Sequence, residues 1–264
     1  MSRAAALLAA VLALSGCGGG GGGDAGPALR ETAEKLGTIR SGTLTFRMEV
    51  DPRGDDEPFG FELTGPFELG KRGGLPEADI EYTQFARGES ATIRLVSDGE
   101  QAVVITQGRT VPLEGEALED LRQSGAEVLG SDVADEAGLE ELRVDTWLVD
   151  PELTDGPDGT DKIAGELDVV GVANGLIDLA GSLTGTERLD EETGRQLREA
   201  VDSTDFELLT GADDRLLRKL ALQVELAADV PEDLREALGD VVGAGFSFLL
   251  EVENPNEPVD VALP

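Results

Sequence analysis

The chain has 264 residues with 55 acidic and 21 basic side chains, a formal net charge of −34 at pH 7, one cysteine and no histidine. A surface this acidic repels phosphate backbones, which argues against nucleic acid as a partner. The lack of histidine removes the usual general base, the usual zinc ligand and every Ser-His or Cys-His nucleophile pair. Carboxylate pairs could still catalyse hydrolysis, but no pair stands out from the charged background. We therefore expect no enzyme, no metal site and no cofactor.

An export signal with a lipid attachment site begins the chain. Arg3 supplies a positive charge, an apolar run follows, and residues 14–17 read LSGC, the pattern of a lipobox. The apolar run is too short to span a bilayer. We predict that residues 1–16 are removed as a signal peptide and that Cys17 carries a diacylglyceryl group and palmitate. The protein would then be exported and anchored to the outer face of the bacterial plasma membrane. The alternative is an ordinary signal peptide that happens to contain a cysteine.

The sequence beyond the signal divides into a tether and one domain. Residues 17–27 are dominated by glycine, which predicts a lipidated, low-complexity tether. No second apolar stretch approaches the length of a membrane span. Because Cys17 is the only cysteine, a disulfide is not available and the fold must depend on its core. We assign residues 28–264 to a single domain.

The first half of that domain predicts a helix followed by strands. Leu29, Ala33 and Leu36 recur at helical spacing, which predicts a helix over residues 28–40. The apolar period then changes to two, and Asp98-Gly99 is a strong hairpin signal. The strands predicted from this alternation cover residues 44–50, 59–63, 67–69, 80–82, 91–95, 102–106 and 109–113. One apolar and one polar face per strand are typical of an antiparallel sheet with one face packed on the core and the other exposed to solvent.

The second half mixes helices with strands. Helical spacing predicts helices over residues 114–129, 134–142, 172–183, 190–203 and 231–238. Alternation predicts strands over residues 145–149, 162–170, 206–210, 216–226 and 246–252. Residues 150–161 predict turns, and the acidic part of this stretch lacks the spacing of a calcium-binding EF-hand loop. The order of elements, without repeated βαβ units, predicts an α+β fold in which helices cover the apolar face of one antiparallel sheet.

Three stretches of the chain together resemble one protein family. The lipobox leads into an amphipathic helix and then into SGTLTF at residues 41–46. A hairpin with FELL and DDRLLRKL covers residues 206–220, and the chain ends in EPVDVALP after Asn254. This combination resembles the LppX/LprG-type lipoproteins of actinobacteria, which share the fold of the lipoprotein carrier LolA. The resemblance implies a curved antiparallel half-barrel that cups several helices around an apolar cavity for acyl chains.

No ligand motif transfers from that family, because acyl chains are held by an apolar lining. The residues that we predict to line such a cavity are apolar and lie in the predicted strands and helices: Phe46, Met48, Phe61, Leu63, Leu121, Leu176, Ile177, Leu220, Leu222, Phe246 and Phe248. The same residues could instead form an ordinary close-packed core. Trp147, the only tryptophan, could be a core anchor or a residue at the rim of a pocket.

The resemblance implies a lipoprotein that binds the acyl chains of a lipid or glycolipid and carries or presents it in the cell envelope. Its expected partners are the plasma membrane, that lipid and an envelope transport protein. The first alternative is a protein-binding or signalling lipoprotein on the same scaffold without a lipid ligand. The second alternative is an extracytoplasmic solute receptor or hydrolase. The sequence disfavours it, because neither two α/β lobes nor catalytic motifs are predicted.

Overall fold

A computed structural model describes residues 24–52, 57–70, 74–86, 88–119, 121–122, 147–174, 188–227 and 245–264. Two helices are defined in these residues, α1 (Ala25–Leu36) and α2 (Glu191–Ala200). The eleven strands are β1 (Ser41–Asp51), β2 (Phe59–Glu68), β3 (Glu77–Ala86), β4 (Glu89–Asp98), β5 (Ala102–Thr106), β6 (Arg109–Pro112), β7 (Leu148–Asp155), β8 (Thr160–Leu167), β9 (Val201–Gly211), β10 (Leu217–Leu226) and β11 (Gly245–Glu253). Within these ranges no helix is long and apolar enough to cross a membrane.

All eleven strands belong to one antiparallel sheet, as the sequence predicts. The spatial order is β6-β5-β4-β3-β2-β1-β11-β10-β9-β8-β7, so the first strand and the last strand of the chain lie side by side in the middle. β6 and β7 are the two free edges and do not pair with each other, so the sheet is open. The described helices are few and short compared with this sheet.

Helix α1 packs over the half of the sheet formed by β7 to β10. Asp24 caps its first turn by accepting a hydrogen bond from the Gly26 amide, and the helix ends at Gly37. Its buried residues, Ala25, Ala28, Leu29 and Thr32, recur at three- and four-residue steps and so form one stripe. The hydroxyl of Thr32 lies 2.9 Å from that of Thr210 at the end of β9. This contact fixes the helix to the sheet inside the core.

The main core lies beneath α1. It joins the buried stripe of the helix to side chains of β7 to β11: Leu148, Ile163, Leu167, Phe206, Leu208, Leu217 and Val252. Trp147 belongs to the same cluster with 7% of its surface exposed, so it is a core anchor and not a residue at a rim.

Several predicted element boundaries are wrong; the helix predicted over residues 28–40 ends at Leu36, and the strand predicted over residues 162–170 ends at Leu167. Two further errors concern β7 and β9. The helix predicted over residues 190–203 ends at Ala200, and β9 starts directly at Val201. Residues 150–155, predicted as turns, belong to β7. A register shift lies between Val149 and Glu152, and Asp150 has a φ of 47°. This bulge interrupts the alternation by which a strand is recognised.

Several predicted helices fall outside the described residues. These are residues 134–142 and 231–238 and the greater part of 114–129 and 172–183. Helical turns are described at residues 116–119, 121–122 and 169–174, within or beside two of those predictions.

Gly65 in β2 marks a close approach of two strands. Its φ is +142°, and a Cβ at this position would lie 1.9 Å from the backbone oxygen of Asp79. Glycines of this kind occur where a sheet bends sharply or where two backbones meet. The neighbouring strands therefore require glycine here.

We predict that Gly65→Ala lowers the free energy of unfolding by roughly 1–3 kcal/mol, because the backbone must adopt a strained conformation and β3 must move. Gly108→Ala is the matched control, since Gly108 also has a positive φ of +73° but no atom lies within 4 Å of the added Cβ. Urea unfolding of both variants measures the difference. Equal losses would contradict the close approach.

Candidate apolar binding face

The strand register places apolar side chains in rows across one face of the sheet, here called the apolar face. In antiparallel strands, residues directly opposite each other project to the same side. One unbroken row crosses nine strands, from β4 at one side to β7 at the other: Ile93, Tyr82, Leu63, Phe46, Leu250, Leu220, Leu208, Ile163 and Leu153. Eight spacings of about 4.8 Å make this row roughly 38 Å long.

A second row of apolar residues runs beside the first. It consists of Phe61, Met48, Phe248, Leu222 and Phe206, each directly opposite the next. Beyond it, Phe246 lies between Val50 and Val224. The central strands β1, β2, β10 and β11 thus present a continuous, uncharged surface on this face.

Eight of the predicted lining residues stand together on this face: Phe46, Met48, Phe61, Leu63, Leu220, Leu222, Phe246 and Phe248. All eight are half-buried. Leu121 is helical and half-buried, whereas Leu176 and Ile177 lie outside the described residues. The sequence-based set missed Tyr82, Ile93 and Leu250, which belong to the long row. Leu250 shares a face with Phe246 and Phe248 by alternation, whereas Tyr82 and Ile93 are recognised as members of the row from the register that joins them to Leu63.

Aromatic rings cluster at the centre of the apolar face. The ring of Phe46 stacks on that of Phe61 with centroids 5.7 Å apart and meets the edge of Phe248 at 5.2 Å. Tyr82 extends the cluster, with its centroid 5.9 Å from that of Phe61. Such pairs contribute about 0.5–1.5 kcal/mol each beyond their buried area. They hold four neighbouring strands in register and form a firm apolar floor.

Burial along the long row decreases from β8 to β4. Under α1, Ile163 and Leu208 are 0% and 4% exposed, and the row is half-buried from Leu220 to Tyr82. At β4, Ile93 is 43% exposed. The row therefore leads from a closed core to solvent without meeting a charge. Such a surface can receive an apolar chain but offers no group for acid–base or nucleophilic chemistry.

The opposite face of the sheet is polar and carries ion pairs. Glu207 on β9 accepts from Lys162 at 2.5 Å and from Lys219 at 2.8 Å. Both hydrogen bonds hold the pKa of Glu207 below its ordinary value, and the bond from Lys162 has the larger effect. A depression of about 370 Å³ lies beside them and is lined by charged residues, among them Arg47 and Asp205, together with apolar ones such as Leu249. The charged groups make it a poorer site for an acyl chain than the uncharged apolar face.

We predict a pH-dependent cost for Glu207→Gln. A lowered pKa in the folded state stabilises the protein above the unfolded pKa of about 4.3, and this contribution disappears as the pH falls through the folded value. The variant should lose up to about 1 kcal/mol at pH 7, since these side chains are partly exposed, and progressively less as the pH falls below about 4.3. Urea unfolding across this range measures it. Glu225→Gln, on the next strand and without an ion pair among the described residues, should show no such trend.

The acidic turn between β7 and β8 is not built as a metal site. Asp161 forms an ion pair with Arg215, and Thr160 bonds to the Pro157 carbonyl. In the described parts of the chain, no group of three or more histidine, cysteine or carboxylate residues is placed to hold a metal ion.

The comparisons with known proteins return lipoproteins of the kind that the sequence resembles. The structure is similar to that of LprF from Mycobacterium bovis, with a TM-score of 0.41 and 13% identity over 91% of this chain and 97% of that one. It is similar to the lipoprotein LppX of Mycobacterium tuberculosis, with a TM-score of 0.38 and 11% identity over 90% and 97% of the two chains. A LolA superfamily protein from Nitrosomonas europaea follows at a TM-score of 0.20 and 10% identity, over 86% and 93%. No protein-family profile and no curated protein matches the chain.

Two of these solved structures, LppX and the LolA superfamily protein, bear the names of the families that the sequence resembles. The identities of 10–13% are low and each of these TM-scores lies below 0.5, so residue-by-residue equivalences do not follow from them.

Proposed function

We propose that the chain is an envelope lipoprotein that binds the acyl chains of a lipid or glycolipid on its apolar face and carries or presents that lipid in the cell envelope. The observation that carries this proposal is the long, uncharged row whose burial decreases from α1 towards β4. Each methylene moved from water onto such a surface contributes about 0.8 kcal/mol. About ten methylenes would supply roughly 8 kcal/mol before the cost of association.

The proposed binding cavity uses more of the chain than the sheet alone. Its floor would be formed by the eight half-buried strand residues, and Leu121, Leu176 and Ile177 would contribute from predicted helices. Residues 28–264 would form one domain in which a curved half-barrel cups those helices. The close approach at Gly65 supports the curvature, because glycine at such a site accompanies a sharp bend in a sheet.

The proposed location follows from the lipobox. Cys17 would carry the diacylglyceryl group and palmitate, and residues 17–27 would tether the domain to the outer face of the plasma membrane. Two or more acyl chains give stable anchoring. An envelope transport protein would exchange the lipid with the domain.

To test the ligand, we predict that Phe248→Glu reduces capture of a fluorescent fatty acid at least tenfold. A carboxylate in the middle of the apolar face would be buried without a partner under the bound chain, which costs several kcal/mol. Leu249→Glu is the matched control, because Leu249 is the next residue on the same strand and lies opposite Arg47 on the polar face. This variant should bind as the parent does. Equal capture by the two variants would contradict the site.

Because Phe248→Glu could also unfold the sheet, circular dichroism accompanies the assay. Phe248→Ala provides a second, milder variant that removes the 5.2 Å contact with Phe46 while keeping the face apolar. We expect it to fold and to weaken capture several-fold. Unchanged capture by this folded variant would also contradict the assignment.

The anchor has its own test. In cells supplied with labelled palmitate, the protein and a Ser15→Ala variant should both incorporate label, because alanine preserves the lipobox. Cys17→Ala should incorporate none, since the thiol that receives the lipid is gone. Label retained by Cys17→Ala would contradict lipidation at this residue.

A further inference from the structure

Large exposed apolar side chains lie on strands β2, β4 and β6 of the apolar face. Phe59, Ile93 and Val111 are 39%, 43% and 50% exposed, and all three project from this face. The described residues contain one other large exposed hydrophobic side chain, Val149, which pairs with Glu166 at the opposite edge. Isolated exposed apolar residues are common, but a group at the open end of an apolar row indicates a contact surface.

The register places two of these side chains near one end of the long row. Ile93 on β4 is the row's outermost apolar member, and Val111 on β6 lies opposite Val104, which lies opposite Leu95 in the row beside it. Arg109, two residues before Val111, lies opposite Thr106, which itself lies opposite Ile93. Apolar side chains beside an arginine are typical of protein surfaces at a membrane interface, where the long side chain reaches the head groups. We call Ile93, Arg109 and Val111 the exposed edge.

The backbone of the exposed edge is unsuited to pairing with another strand. β6 has four residues and ends in Pro112, which has no amide hydrogen to donate. Short edge strands that end in proline discourage strand addition. The side chains of the apolar face are therefore what this edge offers to a partner.

The tether keeps the domain close to the bilayer if Cys17 is lipidated. Seven residues, Gly18 to Asp24, separate the cysteine from the start of α1. Fully extended, they span at most about 25 Å. The domain can turn on such a tether but cannot leave the membrane surface. The formal charge of −34 favours contact with zwitterionic over anionic lipid.

We propose that the exposed edge is where the domain contacts a zwitterionic bilayer and where an acyl chain passes between that bilayer and the apolar row. This inference rests on the proposed function, because it assigns the route by which the proposed ligand reaches its site. Ile93 and Val111 insert among the outer parts of the acyl chains, and Arg109 remains at the level of the head groups.

The first experiment measures the contact itself. Since Cys17 is the only cysteine and would be lipidated, a second cysteine can be labelled uniquely with an environment-sensitive dye. The full chain carrying Ile93→Cys or Val111→Cys is reconstituted in phosphatidylcholine vesicles. Dye emission should rise at least twofold on reconstitution and be quenched by nitroxide-labelled lipid. Thr92→Cys, the neighbour of Ile93 on the polar face, is the control and should show neither effect.

The second experiment separates the route from the binding site. The variant Val111→Glu should take up labelled lipid from vesicles at least tenfold more slowly than the parent. Its uptake of a monomeric fluorescent fatty acid from solution should stay within twofold, because Val111 lies outside the two rows that form the proposed binding site.

The outcomes distinguish the two proposals. Dyes that remain in water at both edge positions, or that respond equally at Thr92→Cys, would overturn the exposed edge as a contact. Equal slowing of both kinds of uptake would overturn its role as a route. If the parent takes up no acyl chain from either source while the edge dyes enter the bilayer, the proposed function is wrong and the contact is supported.

Discussion

The register between β1 and β11 is the constraint on which the rest of the structure depends. These strands lie far apart in the sequence, yet their pairing joins the first six strands of the domain, β1 to β6, to the last five, β7 to β11. It places Phe46 opposite Leu250 and Met48 opposite Phe248. A slip by one residue would turn the apolar side chains of one strand to the polar face. The contact between Phe46 and Phe248, with centroids 5.2 Å apart, opposes that slip.

This pairing creates an apolar surface that is larger than one helix can cover. Helix α1 buries the part formed by β7 to β10, where its Thr32 meets Thr210 and Leu29 is 1% exposed. The aromatic centre remains half-buried, and the side towards β4 and β6 is exposed. Half-burial of so many large apolar side chains gives up part of the free energy that full burial would supply. A ligand that completes the burial would recover it, which links the fold to the function proposed above.

Much of the sheet could be predicted from the sequence, because β1 and most of β2, β10 and β11 alternate apolar and polar residues. The prediction failed at β7, where Asp150 adopts a positive φ beside Pro151 and the bulge breaks the period. The residues of the candidate site could likewise be predicted only in part. Alternation identifies which residues of a strand share a face, so Phe46 and Met48 were found. Alternation does not identify cross-strand partners or graded burial, so Tyr82 and Ile93 were missed.

Native mass spectrometry of the processed chain, purified from its own or a related host, tests the central claim most directly. A chain that binds acyl lipid on its apolar face should carry extra mass that disappears on organic extraction, and the extracted material should contain fatty acyl chains. A mass equal to that of the lipidated polypeptide alone, with no uptake of added phospholipid or triacylated lipid, would contradict the account. That result would favour a protein-binding lipoprotein on the same scaffold.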